Sequence, residues 1–408
     1  MDKQCNRPCS IYMCIGCGVC SEVCPKNCIT MKADREGFSF PTLNFDSCIS
    51  CDLCIKMCPQ NNHFKKSNSI FYMAWHLSSE VLMTSSSGGV FTAIAEWVLN
   101  QNGVVVGAAV DPNTREIYHE LISSSKQLDK LRLSKYYQST IRQVFKEVRT
   151  LIIAGRMVLF SGTACQIAAI KTFLGPLANN GLLLTMDVLC HGVTSKKVIS
   201  AYIKDREKKY KKKVIDYKFR VKEGKEGWQA GYGTRMKLFF DDGSSQVQNK
   251  FLDTFFVGFN SNIFLRESCY CCQYCGQKRI SDFTVADFWG VDEEKVGMRQ
   301  LYKGVSVLLL NTKNAEKIMP DLMNCLHVEE IDPNVAIRYN LAFKKPNKRP
   351  EERSEFFSIM DKYGFDKAVK FVNKRYYLRE YIKLILRTVK LDKLLRHIHR
   401  KYRAGSEK

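Results

Sequence analysis

Nowhere do the 408 residues offer an uncharged apolar run near the roughly 18 residues of a spanning helix, and the opening MDKQCNRPCS lacks the apolar core of a signal peptide. Those two absences predict a soluble, cytoplasmic protein. Acidic residues are also scarce: 41 Asp and Glu face 63 Lys and Arg, a formal charge of +22. Such an excess suits nucleic acid, an anionic membrane surface, or acidic proteins and substrates. No recognised nucleic-acid module accompanies the charge, so nucleic acid is not an expected partner. The excess is uneven. Residues 1–65 carry seven Lys and Arg against six Asp and Glu, whereas residues 374–408 carry twelve against three.

What the chain has in quantity is cysteine, eighteen in all. In a short secreted chain this would indicate a disulfide scaffold, but here the cysteines concentrate in C-x-x-C arrays of the kind used for metal binding, which implies a reducing compartment. Cys14-x-x-Cys17-x-x-Cys20-x-x-x-Cys24-Pro25 returns as Cys48-x-x-Cys51-x-x-Cys54-x-x-x-Cys58-Pro59, every cysteine displaced by 34 residues. In bacterial two-cluster ferredoxins the last cysteine of each such run ligates the other cluster. Carried onto this sequence, Cys14, Cys17, Cys20 and Cys58 hold one [4Fe–4S] cluster, and Cys48, Cys51, Cys54 and Cys24 hold the second. The competing reading is a pair of structural zinc sites, which need only four thiolates each and rarely this eight-cysteine repeat. Cys5, Cys9 and Cys28 fall outside the pattern and read as extra thiols.

Between the arrays, ITMKADREGFSFPTLN alternates apolar and polar residues around Asp34-Arg35-Glu36-Gly37, which predicts a β-hairpin. Residues 60–69 read as a polar linker. Beyond Ser85 the chain becomes α/β in character. Gly88–Leu99 and Gln143–Leu151 have helical spacing, while 103–110, 157–160, 182–189 and 305–310 read as buried strands. Asp241-Asp242-Gly243 marks a further hairpin, and a helix is expected after Asn314. The end of the chain reads as two short amphipathic helices. Leu378, Ile382, Ile385 and Val389 share one face, Leu391, Leu394, Leu395, Ile398 and Tyr402 another, with a break near Asp392.

Five phrases then occur in order: 85-SSSGGVF-91, 133-LSKYYQS-139, 160-FSGTACQ-166, 189-LCHG-192 and 281-SDFTVADFWG-290. Together they resemble the coenzyme F420 hydrogenase/dehydrogenase beta-subunit family over about residues 70–310. The resemblance implies a bound flavin, FAD, exchanging a hydride with a small organic molecule and single electrons with iron–sulfur clusters. It directs attention to Ser86, Ser87, Gly88 and Gly89 before a helix, and to Gly162 and Thr163 after a strand, where backbone N–H groups can meet a pyrophosphate. Ser134, Lys135, Tyr136 and Gln138 are further expected contacts. It also implies a third [4Fe–4S] cluster on Cys165, Cys190, Cys269 and Cys272, although Cys271 and Cys275 compete for the local pair. His191 is a candidate proton donor, with a structural hydrogen bond as the alternative.

The expected fold class is α/β, α+β overall. A two-[4Fe–4S] ferredoxin-like domain over 1–65 precedes a mixed α/β flavin domain in two parts, 70–150 and 151–345, and a basic helical tail over 346–408. The expected function is that of an iron–sulfur flavoprotein oxidoreductase acting on a small organic substrate, coenzyme F420 or a polysaccharide-pathway intermediate. The alternative is a non-catalytic electron-transfer subunit of a hydrogenase or dehydrogenase complex. Electrons would come from a redox partner protein or a small-molecule donor. The basic tail suits an anionic membrane surface, an acidic carrier, a neighbouring subunit, or packing on its own domain.

Overall fold

The computed structural model describes residues 8–65, 67–141, 144–223, 227–228, 235–248 and 253–388. In the amino-terminal module the alternating stretch forms an antiparallel hairpin of β1 (Ile29–Ala33) and β2 (Ser39–Leu43). Its turn is held by Asp34 Oδ1, which accepts from the backbone N–H groups of Glu36 and Phe38, both at 2.9 Å.

The body begins with β3 (Ile70–His76), α1 (Val90–Asn100), β4 (Val104–Val110), β5 (Ile117–Ile122), α2 (Val144–Ile153), β6 (Val158–Thr163), α3 (Ala164–Leu174) and β7 (Leu183–Val188). It continues through α4 (Lys196–Tyr210), β8 (Val214–Lys218), β9 (Lys237–Phe240), β10 (Ser245–Val247), α5 (Thr254–Asn260), β11 (Phe283–Asp287), β12 (Ser306–Leu310), α6 (Lys313–Leu322) and β13 (Leu326–Glu330). Three helices follow: α7 (Arg353–Tyr363), α8 (Phe365–Val372) and α9 (Lys374–Thr388).

Eight strands form one sheet in the order β13-β3-β12-β11-β7-β6-β4-β5, and β8, β9 and β10 form a second, antiparallel one. In the large sheet β11, β7, β6 and β4 run parallel, while antiparallel pairings close both sides. Strands from before and after residue 151 therefore interleave in one sheet, so the two expected parts of the flavin domain share a single layer. The alternation within β6 distributes side chains to both faces: Leu159 packs with α1 and α6, whereas Val158 and Phe160 pack with α2 and α3. Burial at Val90, Ala93, Ile94 and Val98 gives α1 the i, i+3, i+4 spacing that seats it on the sheet.

Two regions differ from their sequence reading. The expected linker is anchored, because Ser67 N–H donates to Arg279 O at 3.1 Å and the Ser69 hydroxyl to Asn311 Oδ1 at 2.6 Å. The expected tail from residue 346 starts inside the body: Phe356, Phe357, Met360, Phe365 and Val369 are buried against α4 and α5. Only α9 turns an apolar stripe outward, with Leu378, Tyr381, Ile382 and Ile385 between 46% and 58% exposed. Val389, the break near Asp392 and the second tail helix lie outside the described residues. Among the described residues no helix is long and apolar enough to cross a membrane.

Candidate iron–sulfur and cofactor site

The two cysteine arrays fold into matching loops. Gly16 and Gly18 have φ of +65° and +81°, and their counterparts 34 residues on, Ser50 and Asp52, repeat the left-handed backbone at +51° and +55°. Each loop then enters a four-residue helix, Val19–Glu22 or Leu53–Lys56. Two left-handed residues let the chain curl so that three thiols face one point. One small cavity is lined by Cys14, Cys17, Cys20 and Cys58, a second by Cys24, Cys48, Cys51 and Cys54. The last cysteine of each array thus sits with the other array's first three.

Each cavity also contains a fifth cysteine, Cys9 in the first and Cys28 in the second, the latter with its Sγ 3.3 Å from that of Cys24. Burial pushes Cys20 up to about 12, helped by Cys14 and Cys58 and more weakly by Cys54 of the neighbouring quartet. Thiols crowded in this way stay neutral unless a cation is shared among them; coordination to a metal deprotonates them outright. Among the described residues no three His, Cys, Asp or Glu side chains converge as ligands of a single ion. A cube with iron at four corners holds its thiolates further apart.

A third quartet gathers at the carboxyl ends of the parallel strands. Cys165 follows β6 at the start of α3, and Cys190 follows β7; these strands pair in parallel with Thr163 opposite Val188. Cys269 lies in the short helix Glu267–Tyr270, and Cys272 lies just beyond it. Burial raises Cys190 most, and Cys269, Cys165 and Cys272 all add to the shift. Cys269 is likewise raised to about 12 by burial, then by Cys165 and Cys272, and Cys165 to about 11 by burial, then by Cys272. The four residues named from sequence are thus mutual neighbours.

Of the two competitors, Cys271 is exposed, its Sγ 3.5 Å from Met13 Sδ. Cys275 hydrogen-bonds Cys272, holding that thiol down to about 7. Tyr274 links the first and third quartets: its ring packs among Cys17, Cys165 and Cys272, and its hydroxyl donates to Pro59 O at 3.0 Å.

Beside the third quartet opens a cavity of about 680 Å³, within the usual range for a small-molecule site. Cys190, His191 and Cys275 line one side, with Thr163, Val188 and Asp287 from the ends of β6, β7 and β11. Ligands of open α/β sheets collect at such strand ends. Ser86, Ser87, Gly89, Val90 and Phe91 also line it, bringing in the amino terminus of α1. Gly89 caps that helix at φ +76° with no side-chain oxygen on its first N–H groups. An uncapped helix amino terminus favours an anionic group such as a pyrophosphate. Gly162 keeps the floor low; a Cβ there would meet Gln166 Oε1 at 2.9 Å and His119 Nε2 at 3.2 Å. These features fit a dinucleotide cofactor.

The remaining expected contacts divide. Tyr136 and Ser134 line the cavity, and Ser134 is fixed by its N–H donating to Ser86 Oγ at 2.8 Å. Lys135 lines it too, but its Nζ donates to the carbonyls of Lys130, Leu131 and Arg132, and burial lowers it to about 7. Gly88 and Gln138 do not line the cavity. A Cβ on Gly88 would lie 2.5 Å from Ala74 O, so this glycine serves close packing on the sheet. Gln138 Nε2 donates to Ile15 O at 2.7 Å, joining the ferredoxin module to the body. His191 has Nε2 3.2 Å from Phe259 O, and burial lowers its pKa, which agrees with the structural alternative.

Sequence reading overlooked the wall opposite. Arg220 pairs with Asp287 through two hydrogen bonds of 2.7 and 3.0 Å, and Trp228 Nε1 donates to Asp287 Oδ1 at 3.0 Å while stacking on Trp289. The phrase DFWG contained Asp287 and Trp289, but Arg220 lies 67 residues away with no local signature.

Residues 155–334 match the family model for the C terminus of the coenzyme F420 hydrogenase/dehydrogenase beta subunit, and residues 13–62 match that of a 4Fe-4S dicluster domain. Among solved structures, a chain of the F420-reducing [NiFe] hydrogenase complex from Methanosarcina barkeri is similar at 15% identity and a TM-score of 0.47, covering 69% of this chain and 89% of that one. No curated protein matches.

Proposed function

We propose, for a chain whose residues 155–334 belong to the coenzyme F420 hydrogenase/dehydrogenase beta-subunit family and whose residues 13–62 form a 4Fe-4S dicluster domain, an iron–sulfur flavoprotein oxidoreductase acting on a small organic substrate. The observation that carries this reading is the position of Cys190, which belongs to the third quartet and also lines the large cavity. Cys14, Cys17, Cys20 and Cys58 would hold one cluster, Cys24, Cys48, Cys51 and Cys54 the second, and Cys165, Cys190, Cys269 and Cys272 a third. Bound FAD would join two-electron hydride chemistry to one-electron transfer.

The chain's own contribution is positional. The amino terminus of α1 would receive the pyrophosphate, the Ser86–Ser134 contact fixes the loop beside it, and Gly162 leaves the cavity floor open. The paired Arg220 and Asp287, with Trp289, shape the wall a substrate would meet, coenzyme F420 being one candidate.

Anaerobically purified protein should carry about one flavin per chain. Gly162→Val should weaken flavin binding by at least ~10-fold, about 1.4 kcal/mol, with iron content unchanged. Flavin absent from carefully reconstituted wild-type protein would contradict the reading and leave the non-catalytic electron-transfer subunit in its place.

The apolar stripe of α9 and the twelve basic residues of 374–408 suit an anionic membrane surface. The full chain should sediment with phosphatidylglycerol vesicles and not with phosphatidylcholine ones, and Ile382→Glu with Ile385→Glu should abolish this. Sedimentation unchanged by the double substitution would exclude α9 as the contact.

A further inference from the structure

Among the described residues five arginines are buried: Arg206, Arg220, Arg266, Arg279 and Arg353. Four have a carboxylate. Arg206 pairs with Asp366, Arg220 with Asp287, Arg279 with Asp187, and Arg353 with Glu36 and Glu267. Arg266, only 1% exposed, forms no ion pair among the described residues. Its guanidinium donates instead to neutral acceptors: Nε to Cys14 O at 2.7 Å, Nη1 to Gln138 Oε1 at 2.8 Å, and Nη2 to Ser39 O at 2.9 Å. The ring of Phe40 lies 4.3 Å from the guanidinium carbon.

An uncompensated cation in the interior is costly, and a permanently charged guanidinium cannot relieve the cost by losing its proton. A compensating anion belongs nearby. Arg266 acts on thiols of two different quartets, favouring the charged form of Cys14 in the first and of Cys165 and Cys269 in the third. Backbone contacts place it at the same boundary: the N–H of Cys269 donates to Arg266 O at 2.9 Å. The second quartet shows no such relation.

We infer that Arg266 is a counter-cation shared by the first and third cysteine quartets, a positioning and tuning residue that holds both centres at higher potential than their thiolates alone would give. The inference rests on the proposed occupation of both quartets by clusters. Reduction adds negative charge to a cluster, and a fixed positive charge in an apolar setting stabilises the reduced form; net charge and hydrogen bonding are known determinants of such potentials. One cation between two centres raises both and makes reduction of each sensitive to the other's charge.

The test is a redox titration of the intact, anaerobically reconstituted protein followed by electron paramagnetic resonance. Arg266→Gln should lower the equilibrium constant for reducing the first and third centres by about tenfold, or about 59 mV for one electron. The second centre should be unchanged. Arg266→Lys keeps the charge and should restore more than half of the shift. Equal shifts in Gln and Lys variants, a shift shared by all three centres, or unshifted potentials would each overturn the inference. Where Arg266→Gln cannot retain its iron, retention by Arg266→Lys supports the role of charge, and loss in both opposes it. A wild-type protein lacking the third signal counts instead against the third centre itself.

Discussion

Replacement of Cys190 by serine should remove about four of about twelve irons per chain, from four per cube, and leave both ferredoxin signals intact. Cys190 stands where two sites meet. Its thiol is surrounded by those of Cys165, Cys269 and Cys272, and its side chain also lines the cavity beside His191. A serine oxygen is a poor substitute for a thiolate at iron, and Cys275 next to Cys272 is the one nearby thiol that could take over. The double replacement of Cys190 and Cys275 by serine therefore closes that escape. Because the first and second quartets are built from residues 14–58, their spectra should survive both changes. Iron counts equal to wild type in the double variant would remove Cys190 from the ligand set.

Arg353→Ala should be the most damaging single change outside the quartets, costing about 3–5 kcal/mol, the range for breaking a buried ion pair by deleting one partner. Arg353 is 1% exposed and meets Glu36 at 2.7 Å and Glu267 at 2.8 Å, while its Nε donates to Leu265 O at 3.0 Å. Glu36 belongs to the hairpin turn of the ferredoxin module, Glu267 to the helix carrying Cys269, and Arg353 itself to α7. One side chain thus ties three separately folded segments together. Glu267 keeps Arg349 as a partner, at 2.9 Å, but no second ion pair to Glu36 exists among the described residues. Anaerobic urea unfolding, read by loss of cluster absorbance and by protease sensitivity at the hairpin, measures the effect. A loss below about 1 kcal/mol would place Arg353 with ordinary surface pairs.

What could be read in the sequence follows from how far apart the cooperating residues lie. Each cysteine array is local, its spacing being the geometry of a loop around a cube, so the grouping of Cys14, Cys17 and Cys20 is legible by eye. The exchange of Cys24 and Cys58 between cavities needed the two-cluster precedent. Cys165 and Cys190 meet because β6 and β7 are parallel neighbours, and strand order is not written in either segment. Family phrases supplied that pairing instead. They also misdirected: YYQS drew Gln138 toward the cofactor, yet it joins Ile15 and Arg266 at the module boundary.

Arg266 had no signal at all, being one of 63 basic residues whose distinction is the absence of a carboxylate in three dimensions. The helices α7 and α8 were absorbed into a basic tail because charge on their outer faces masked the apolar positions that pack on α4 and α5.

Iron, sulfide, zinc and flavin measured on one anaerobic preparation of the full chain test the central claim most directly. The account predicts about twelve irons with matching sulfide, about one flavin and no stoichiometric zinc per chain. Stoichiometric zinc, or eight irons with no flavin, would contradict it.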